Sequence, residues 1–355
     1  MTETGDLGLR ERLVAAALVR RVTARAATRP ARSPTLCYVG PVAEEGLGRT
    51  DLPEGGQTVP LRHDGRDRPY LLHVPPASPA GPVPLLVELH GRGIDPIAFD
   101  RWTGFRKLAD MAGFVVALPS AIGEIWNDGR LPPADGSDPD DVGYLLALID
   151  DACCRLPIDR RRIYVVGMSN GATMAGRLAC EHPERMAAVA QVAGTAALGI
   201  ARHCRPAVPL PILHVQGTGD VFSPYAGGRR RGLWARLVFL GRRAAGPSIG
   251  VDAWARLWVE TNGAAEGPLV ETLPPDTTVR RWRGSSAASD LAFYRIDGGG
   301  HTWPGSRQPM PRFLFGRTTR AFDATEVIWD FLATHARAAP AGRAVDESGG
   351  PPGRP

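Results

Sequence analysis

The segment Arg162-Ile-Tyr-Val-Val-Gly-Met-Ser-Asn-Gly-Ala172 carries a β-rich run into Gly167-Met168-Ser169-Asn170-Gly171 and on into a helical pattern. In a G-x-S-x-G set between strand and helix, the glycines allow a sharp turn, the Ser hydroxyl stands above the sheet, and the helix N-terminus faces developing negative charge. The bare pattern is weak in a chain with 42 glycines; the strand before it and the helix after it supply the weight. A Ser hydroxyl is a poor nucleophile unless a base lies within hydrogen-bond reach and a third group fixes that base's tautomer. For this turn the partners follow in the order Ser, acid, His. Leu213-His-Val-Gln-Gly-Thr-Gly-Asp220 offers Asp220 just past an apolar run, and Phe293-Tyr-Arg-Ile-Asp-Gly-Gly-Gly-His-Thr-Trp-Pro304 offers His301 in a Gly-rich loop after a strand. His335 is the rival base, at a helix end; His214 reads as a strand residue and His182 as a helix-end residue. Upstream, Val87-Glu-Leu-His-Gly-Arg-Gly93 ends a strand in a His-Gly turn. There the backbone N–H groups of Arg92 and Asn170 are the candidate oxyanion donors. Each member has a plain alternative: Ser169 as a helix cap, Asp220 as a turn former, His301 as a surface loop residue. Their joint order and context favour the catalytic reading.

These residues need a scaffold, and the chain shows one. Strand-like runs at Tyr70 to Val74, Leu85 to Leu89, Phe114 to Leu118, Ile163 to Val166, Ala188 to Val192 and Ile212 to Gln216 alternate with helical patterns at 96–111, 139–156, 170–182 and 250–262. This alternation predicts an α/β fold, a mostly parallel sheet with helices on both faces. Residues 1–60 and 336–355 are rich in Arg, Ala, Pro and Gly with little to bury and read as poorly ordered tails around a domain at 61–335.

Composition removes other classes. Lys107 is the only lysine among 42 basic residues and follows Arg106, so there is no G-x-x-x-x-G-K-[ST] phosphate loop. The net charge of +5 is spread among 37 acids rather than gathered on one stretch, which argues against nucleic acid as a partner. No apolar run approaches the ~20 residues of a membrane-spanning helix. The Leu13 to Val19 stretch is followed, not preceded, by Arg20 and Arg21, which is a poor secretory signal. Five cysteines without a C-x-x-C pair speak against a zinc ribbon, and no metal or other cofactor is expected. Asp138, Asp140 and Asp141 lack the Gly and distal Glu of a calcium loop and read as helix-start carboxylates.

At these residues the sequence resembles the esterase family that includes polyhydroxybutyrate depolymerases, feruloyl esterases and mycobacterial lipoprotein relatives. The similarity runs from about Tyr70 to His335. Beyond the elbow it rests on Trp126-Asn127, Asp141-Val-Gly-Tyr144, Leu178-Ala-Cys-Glu181, Ser223-Pro-Tyr-Ala-Gly-Gly228, Gly298-Gly-Gly-His-Thr-Trp-Pro-Gly305 and Asp323-Ala-Thr-Glu-Val-Ile-Trp329. The resemblance implies an α/β-hydrolase with Ser169, Asp220 and His301 as triad, and implies that Trp126 and Trp303 lie near the acyl or polymer site. Two departures stand out. The Cys pair of secreted members is missing: Asn262-Gly263 is followed by Ala264, and Ser285 and Ser286 stand near the second position. An insertion at about 229–247 includes Arg229 to Arg243.

The expected function is that of a cofactor-free serine carboxylesterase acting on small or polymeric hydroxyalkanoate, hydroxycinnamate or related acyl esters. Acyl transfer to another acceptor, and a pseudoenzyme binding a hydrophobic ligand or a partner, are the alternatives. In the insertion, Leu233, Trp234, Leu237, Val238 and Leu240 can share a helical face, giving either a lid with interfacial contact through 229–243 or a core helix. A protein working without disulfides in the cytoplasm is expected, with export as the alternative and Cys180 with Cys204 as the one candidate pair.

Overall fold

Val83–Leu89 is a near-continuous apolar run, the pattern of a strand covered on both faces, and in the computed structural model all seven of its residues are buried. The structure describes residues 56–76, 81–130, 138–229, 246–264, 266–284, 286–306 and 311–338. In chain order their elements are β1 (Gln57–Val59), β2 (Arg62–His63), β3 (Arg66–Asp67), β4 (Tyr70–His73), β5 (Val83–Leu89), α1 (Pro96–Thr103), α2 (Phe105–Ala112), β6 (Val115–Pro119), α3 (Asp141–Arg155), β7 (Ile158–Met168), α4 (Asn170–Glu181), β8 (Ala188–Val192), α5 (Leu198–His203), β9 (Ile212–Gly217), α6 (Val251–Asn262), β10 (Glu266–Leu273), β11 (Thr277–Arg283), β12 (Leu291–Ile296), α7 (Arg312–Phe315) and α8 (Ala324–Ala333).

Ten strands form one sheet in the order β1-β4-β6-β5-β7-β8-β9-β12-β11-β10. The middle six, β6 through β12, run parallel, and antiparallel pairs close each side. Because the central strands point the same way, the segments leaving β5, β7, β9 and β12 emerge on one edge of the sheet, which is where open α/β sheets place their ligands. Tyr144, Leu148, Met174, Leu178, Trp254 and Trp258 from α3, α4 and α6 cover one face. Phe99, Phe105, Ala109, Ile328 and Leu332 from α1, α2 and α8 cover the other. Each such fully buried large apolar side chain contributes ~1.5 to 3 kcal/mol.

Several expectations are corrected. The helical pattern at 96–111 is two helices, because Gly104 adopts φ 76°, closing α1 and opening α2. The boundary at residue 60 falls too late, since β1 pairs with β4. At the other end, the Arg337 N–H donates to the Arg161 carbonyl, so the fold continues past 335. Asp140 does cap a helix, accepting from the Gly143 N–H. Asp141 opens that helix, as expected of a helix-start carboxylate, and is in addition fully buried and paired with Arg68 at 2.7 Å. Cys180 and Cys204 form a disulfide, with Cα atoms 5.0 Å apart, so the expectation of a chain without disulfides does not hold. The end of α4 and the residue closing α5 meet there. The proposed lid or core helix at 229–243 falls outside the described residues beyond Arg229.

Candidate active site

The turn from β7 to α4 explains both glycines of the motif. Ser169 sits at φ 57°, ψ −113°, a conformation that costs a non-glycine residue roughly 1 to 3 kcal/mol and persists only where its surroundings enforce it. They do so by close packing. A Cβ on Gly167 would stand 2.5 Å from the Gly171 carbonyl, and one on Gly171 would stand 2.1 Å from the Leu89 carbonyl oxygen. Gly194, after β8, is under the same constraint from the Ser169 carbonyl oxygen at 2.5 Å. The Ser169 N–H donates to the Val192 carbonyl at 2.9 Å. Ser169 is thereby left partly exposed between buried Met168 and Asn170.

Two strands along, Asp220 follows β9, and beside it His301 follows β12. Their side chains meet at 2.7 Å, His301 Nδ1 to Asp220 Oδ2. Asp220 Oδ1 accepts from the N–H groups of Phe222 and Ser223, both at 2.8 Å. The Gln216 side-chain N–H2 donates to Oδ2 at 2.9 Å and to the Ser223 carbonyl at 2.8 Å. The carboxylate therefore has four donors around it, all fixed by the β9 turn or by His301. A carboxylate so surrounded accepts from Nδ1–H and leaves Nε2 of the neutral ring as an acceptor, the tautomer a general base needs. Gln216 was missed in the sequence. Its signal was a polar residue on a central, doubly covered strand, where an amide must find partners.

His214, two residues earlier on β9, is fully buried against Phe293. Burial pushes its pKa down to about 3. Unfolded, a His titrates near ~6.5, so below that pH the unfolded chain binds a proton that the folded chain refuses. Stability is then flat above that pH and is lost as pH falls through it toward the folded value, by ~1.4 kcal/mol per unit. His214 should thus account for about 2 kcal/mol of lost stability between pH 7 and pH 5. Urea unfolding at those two pH values should show the loss reduced by that amount in His214→Leu; an unchanged difference would discard the assignment.

The loop after β5 closes the site from the other side. A Cβ on Gly91 would lie 3.7 Å from the Ser169 Cβ, so the His90-Gly91-Arg92 turn runs directly past Ser169. His90 is buried and neutral, its pKa lowered by burial. Nε2 accepts from the Ala121 N–H at 3.1 Å, and Nδ1–H faces the Gly91 carbonyl at 2.8 Å. The Trp126 indole N–H donates to the His90 carbonyl at 3.0 Å. Asn170 is the first residue of α4, so its backbone N–H has no acceptor within its own helix. Its side chain accepts from the Trp126 N–H at 2.7 Å and donates to Asp128 at 2.5 Å and to the Trp126 carbonyl at 3.1 Å. Asp128 is paired with Arg130 at 2.6 Å. Next to it the Asn127 N–H donates at 2.6 Å to Asp141, the partner of Arg68. The segment 126–128 is therefore a brace joining the Ser169 elbow to the His90-Gly91-Arg92 turn.

That brace corrects the role implied for the two tryptophans. Trp126 is 1% exposed and Trp303 fully buried, so neither presents a face to substrate in this structure. Trp126 holds the His90 carbonyl. Trp303 packs edge-on against Phe99 and Phe105, and its indole N–H donates to Thr325 Oγ1 at 3.1 Å. Thr325 in turn bonds the Thr103 carbonyl, and Thr103 Oγ1 donates to buried Glu88 at 2.5 Å. Glu88 has its pKa raised by burial and by the charge of nearby Asp100. This line of polar groups ties the His301 loop to β5, the strand that leads into the His90-Gly91-Arg92 turn. His335 is not a rival base. It is held by the Phe331 carbonyl and lies near Asp290, at the start of β12 and so at the opposite edge of the sheet.

The chain matches the family described as esterase PHB depolymerase over residues 68–209. It is 33% identical to "Putative esterase NocK" of Nocardia uniformis subsp. tsuyamanensis over 277 residues, 76% of this chain and 80% of that protein. It is 27% identical to feruloyl esterase B of Piromyces equi, over 61% of this chain and 39% of that protein. Among solved structures, acetyl xylan esterase from Aspergillus awamori superposes with a TM-score of 0.50 at 14% identity, over 70% of this chain and 94% of that one, a likeness of fold. An elbow serine, an Asp–His pair on the same sheet edge and this relationship along most of its length agree: the chain belongs to the PHB depolymerase and feruloyl esterase-like family of α/β-hydrolases and is a carboxylic ester hydrolase.

Proposed function

We propose that the ester bond is cleaved through an acyl-enzyme on Ser169, with His301 as general base and acid and Asp220 as its orienting partner. The 2.7 Å contact of His301 Nδ1 with Asp220 Oδ2, on the sheet edge that also carries the strained Ser169, is the observation that supports this reading most directly. His301 Nε2 takes the Ser169 proton as Oγ attacks the carbonyl carbon. The backbone N–H groups of Arg92 and Asn170 hold the resulting oxyanion, with the α4 N-terminus behind them. Collapse of the tetrahedral intermediate breaks the ester C–O bond, and the alcohol leaves with the proton from His301. Water then attacks the acyl carbon with His301 again as base, releasing the acid and restoring Ser169.

The substrates are proposed to be hydroxyalkanoate, hydroxycinnamate or related acyl esters, a range that the feruloyl and acetylxylan esterases among its relatives support by their names. The test is acyl-enzyme capture. Mixed with p-nitrophenyl acetate, the protein should release a burst of nitrophenol stoichiometric with enzyme, and acid quenching should leave an acetyl group on the peptide that contains Ser169. An acetyl group found elsewhere, in an enzyme that turns over, would discard this mechanism. A panel of methyl ferulate, p-nitrophenyl acyl esters and polyhydroxybutyrate then ranks the acyl groups.

A further inference from the structure

β9 lies between β8 and β12 in the middle of the sheet, and Gln216 carries its one side-chain amide, 1% exposed. A strand covered on both faces gains nothing in folding from a polar side chain, and a buried amide costs stability unless its groups are bonded. The Gln216 side-chain NH2 has two acceptors, Asp220 Oδ2 at 2.9 Å and the Ser223 carbonyl at 2.8 Å. Turned over, the amide would set its oxygen against both of them, so its orientation is fixed. One side chain on a rigid strand thus holds both the carboxylate and the turn whose N–H groups bond the carboxylate's other oxygen.

Asp220 and His301 stand on different loops, and backbone hydrogen bonds join the two. The Thr218 N–H donates to the Ile296 carbonyl and the Gly219 N–H to the Gly299 carbonyl, both at 2.9 Å. These bonds set the loops side by side without fixing where a side chain on either of them points. Oδ1 of Asp220 accepts from N–H groups two and three residues on, a local turn that ties this oxygen to its own loop. A pivot about Oδ1 would still carry Oδ2 away from His301. The Gln216 bond ties Oδ2 to the sheet, and Oδ2 is the atom that meets His301 Nδ1 at 2.7 Å. A neutral amide suits this task, because it fixes the oxygen and leaves the negative charge free to stabilise the imidazolium formed during attack. A Lys or Arg in its place would compete with His301 for that charge.

We propose that Gln216 is a positioning residue for ester hydrolysis: its amide holds Oδ2 of Asp220 where that oxygen aligns the His301 ring to take the Ser169 proton. The proposal rests on Asp220 and His301 acting as described above. The Gln216 amide bonds go to Asp220 and to a backbone carbonyl rather than to Ser169 or His301. Its loss should therefore appear in kcat rather than in KM, and only while residue 220 has a carboxylate to be held.

The test is a double-mutant cycle on p-nitrophenyl acetate with Gln216→Met, Asp220→Asn and the two combined. Methionine keeps the length of glutamine without its donor, and Gln216→Leu carries the cycle should the Met variant not fold. Gln216→Met should lower kcat about 10- to 100-fold, the scale on which a displaced catalytic group costs rate, with KM within about twofold. Added to Asp220→Asn, it should cost less than about twofold more. By NMR, the His301 Nδ1–H of the folded Gln216→Met protein should exchange with water faster than in the parent, a change that a purely structural role for Gln216 would not produce. An unchanged kcat or a loss carried by KM would overturn the proposal, because Oδ2 would then need no second holder. A loss by the same factor with and without Asp220→Asn would overturn it too, since Gln216 would then act on the turn and not on the carboxylate. The cycle also separates this proposal from the mechanism beneath it. If Asp220→Asn alone keeps the parent rate, Asp220 does not orient His301. If Asp220→Asn is slowed as expected while the two losses multiply, only the role of Gln216 has failed.

Discussion

Ser169→Ala should fold normally and hydrolyse soluble esters ~10³-fold or more slowly than the parent, the scale on which a triad nucleophile matters. The fold survives because the local hydrogen bonds of residue 169 are made by its backbone. Its N–H donates to Val192, and its carbonyl accepts from the N–H and the hydroxyl of Thr173, both at 3.0 Å. Alanine pays the same conformational cost at φ 57° as serine does, so the melting temperature should hardly move. What remains of activity should come from the oxyanion donors and substrate binding alone, which persist without the nucleophile. Comparing kcat/KM with thermal unfolding in the same preparation checks both halves. A folded Ser169→Ala protein with full activity would end the serine mechanism.

How legible the site was in the sequence differs from residue to residue, and the differences have physical causes. Gly167, Gly171 and Ser169 stood out because the elbow leaves no room for a Cβ at either glycine, so its geometry is written as residue type. His301 stood out for the same reason, since Gly300 must admit the Phe315 carbonyl. Asp220 was legible as an acid just beyond an apolar run. The Arg68–Asp141 pair was not, because nothing local marks a polar side chain whose partner lies far along the chain: the two meet only when α3 docks against the start of the sheet. Trp126 and Trp303 were given a substrate-facing role by resemblance. Burial shows them bracing the two loops around Ser169 and His301 instead.

The same contrast holds for the fold. The central strands were readable because being covered on both faces makes a strand almost uniformly apolar, as β5, β6 and β8 are. The edge of the sheet was not. Every residue of β10 but the last is exposed, and β11 is rich in arginine, so neither carries an apolar run. Arg280 and Arg281 of β11 find their partners in Asp252 on α6 and Tyr294 on β12. The break at Gly104 was hidden because α1 and α2 both place apolar residues against the same face of the sheet, which makes their periodicity continuous although the backbone is not.

Asp220→Asn should be the most damaging isosteric change in the protein, lowering kcat by ~10⁴ with little effect on stability, since it leaves geometry intact while exchanging an acceptor for a donor. In the parent, Oδ1 accepts two backbone N–H groups and Oδ2 accepts from Gln216 and His301. An asparagine has one acceptor oxygen and one donor group to set into these two positions. Turned with its NH2 toward Phe222 and Ser223, it would oppose two donors that the backbone cannot move. Turned the other way, its oxygen keeps both backbone bonds and its NH2 faces His301 Nδ1. The second orientation is the stable one, and it reverses the hydrogen bond: Nδ1 must now accept, the imidazole proton moves to Nε2, and Nε2 can no longer take the proton of Ser169. Gln216 also meets the NH2, and it can respond only by rotating its amide, which would free Nε2–H from the Ser223 carbonyl. The measurement is kcat across pH 6 to 9 together with the His301 ring nitrogen shifts by NMR, which distinguish Nδ1–H from Nε2–H directly. A variant that loses activity while His301 keeps its proton on Nδ1 would show that Asp220 acts by some route other than fixing the tautomer.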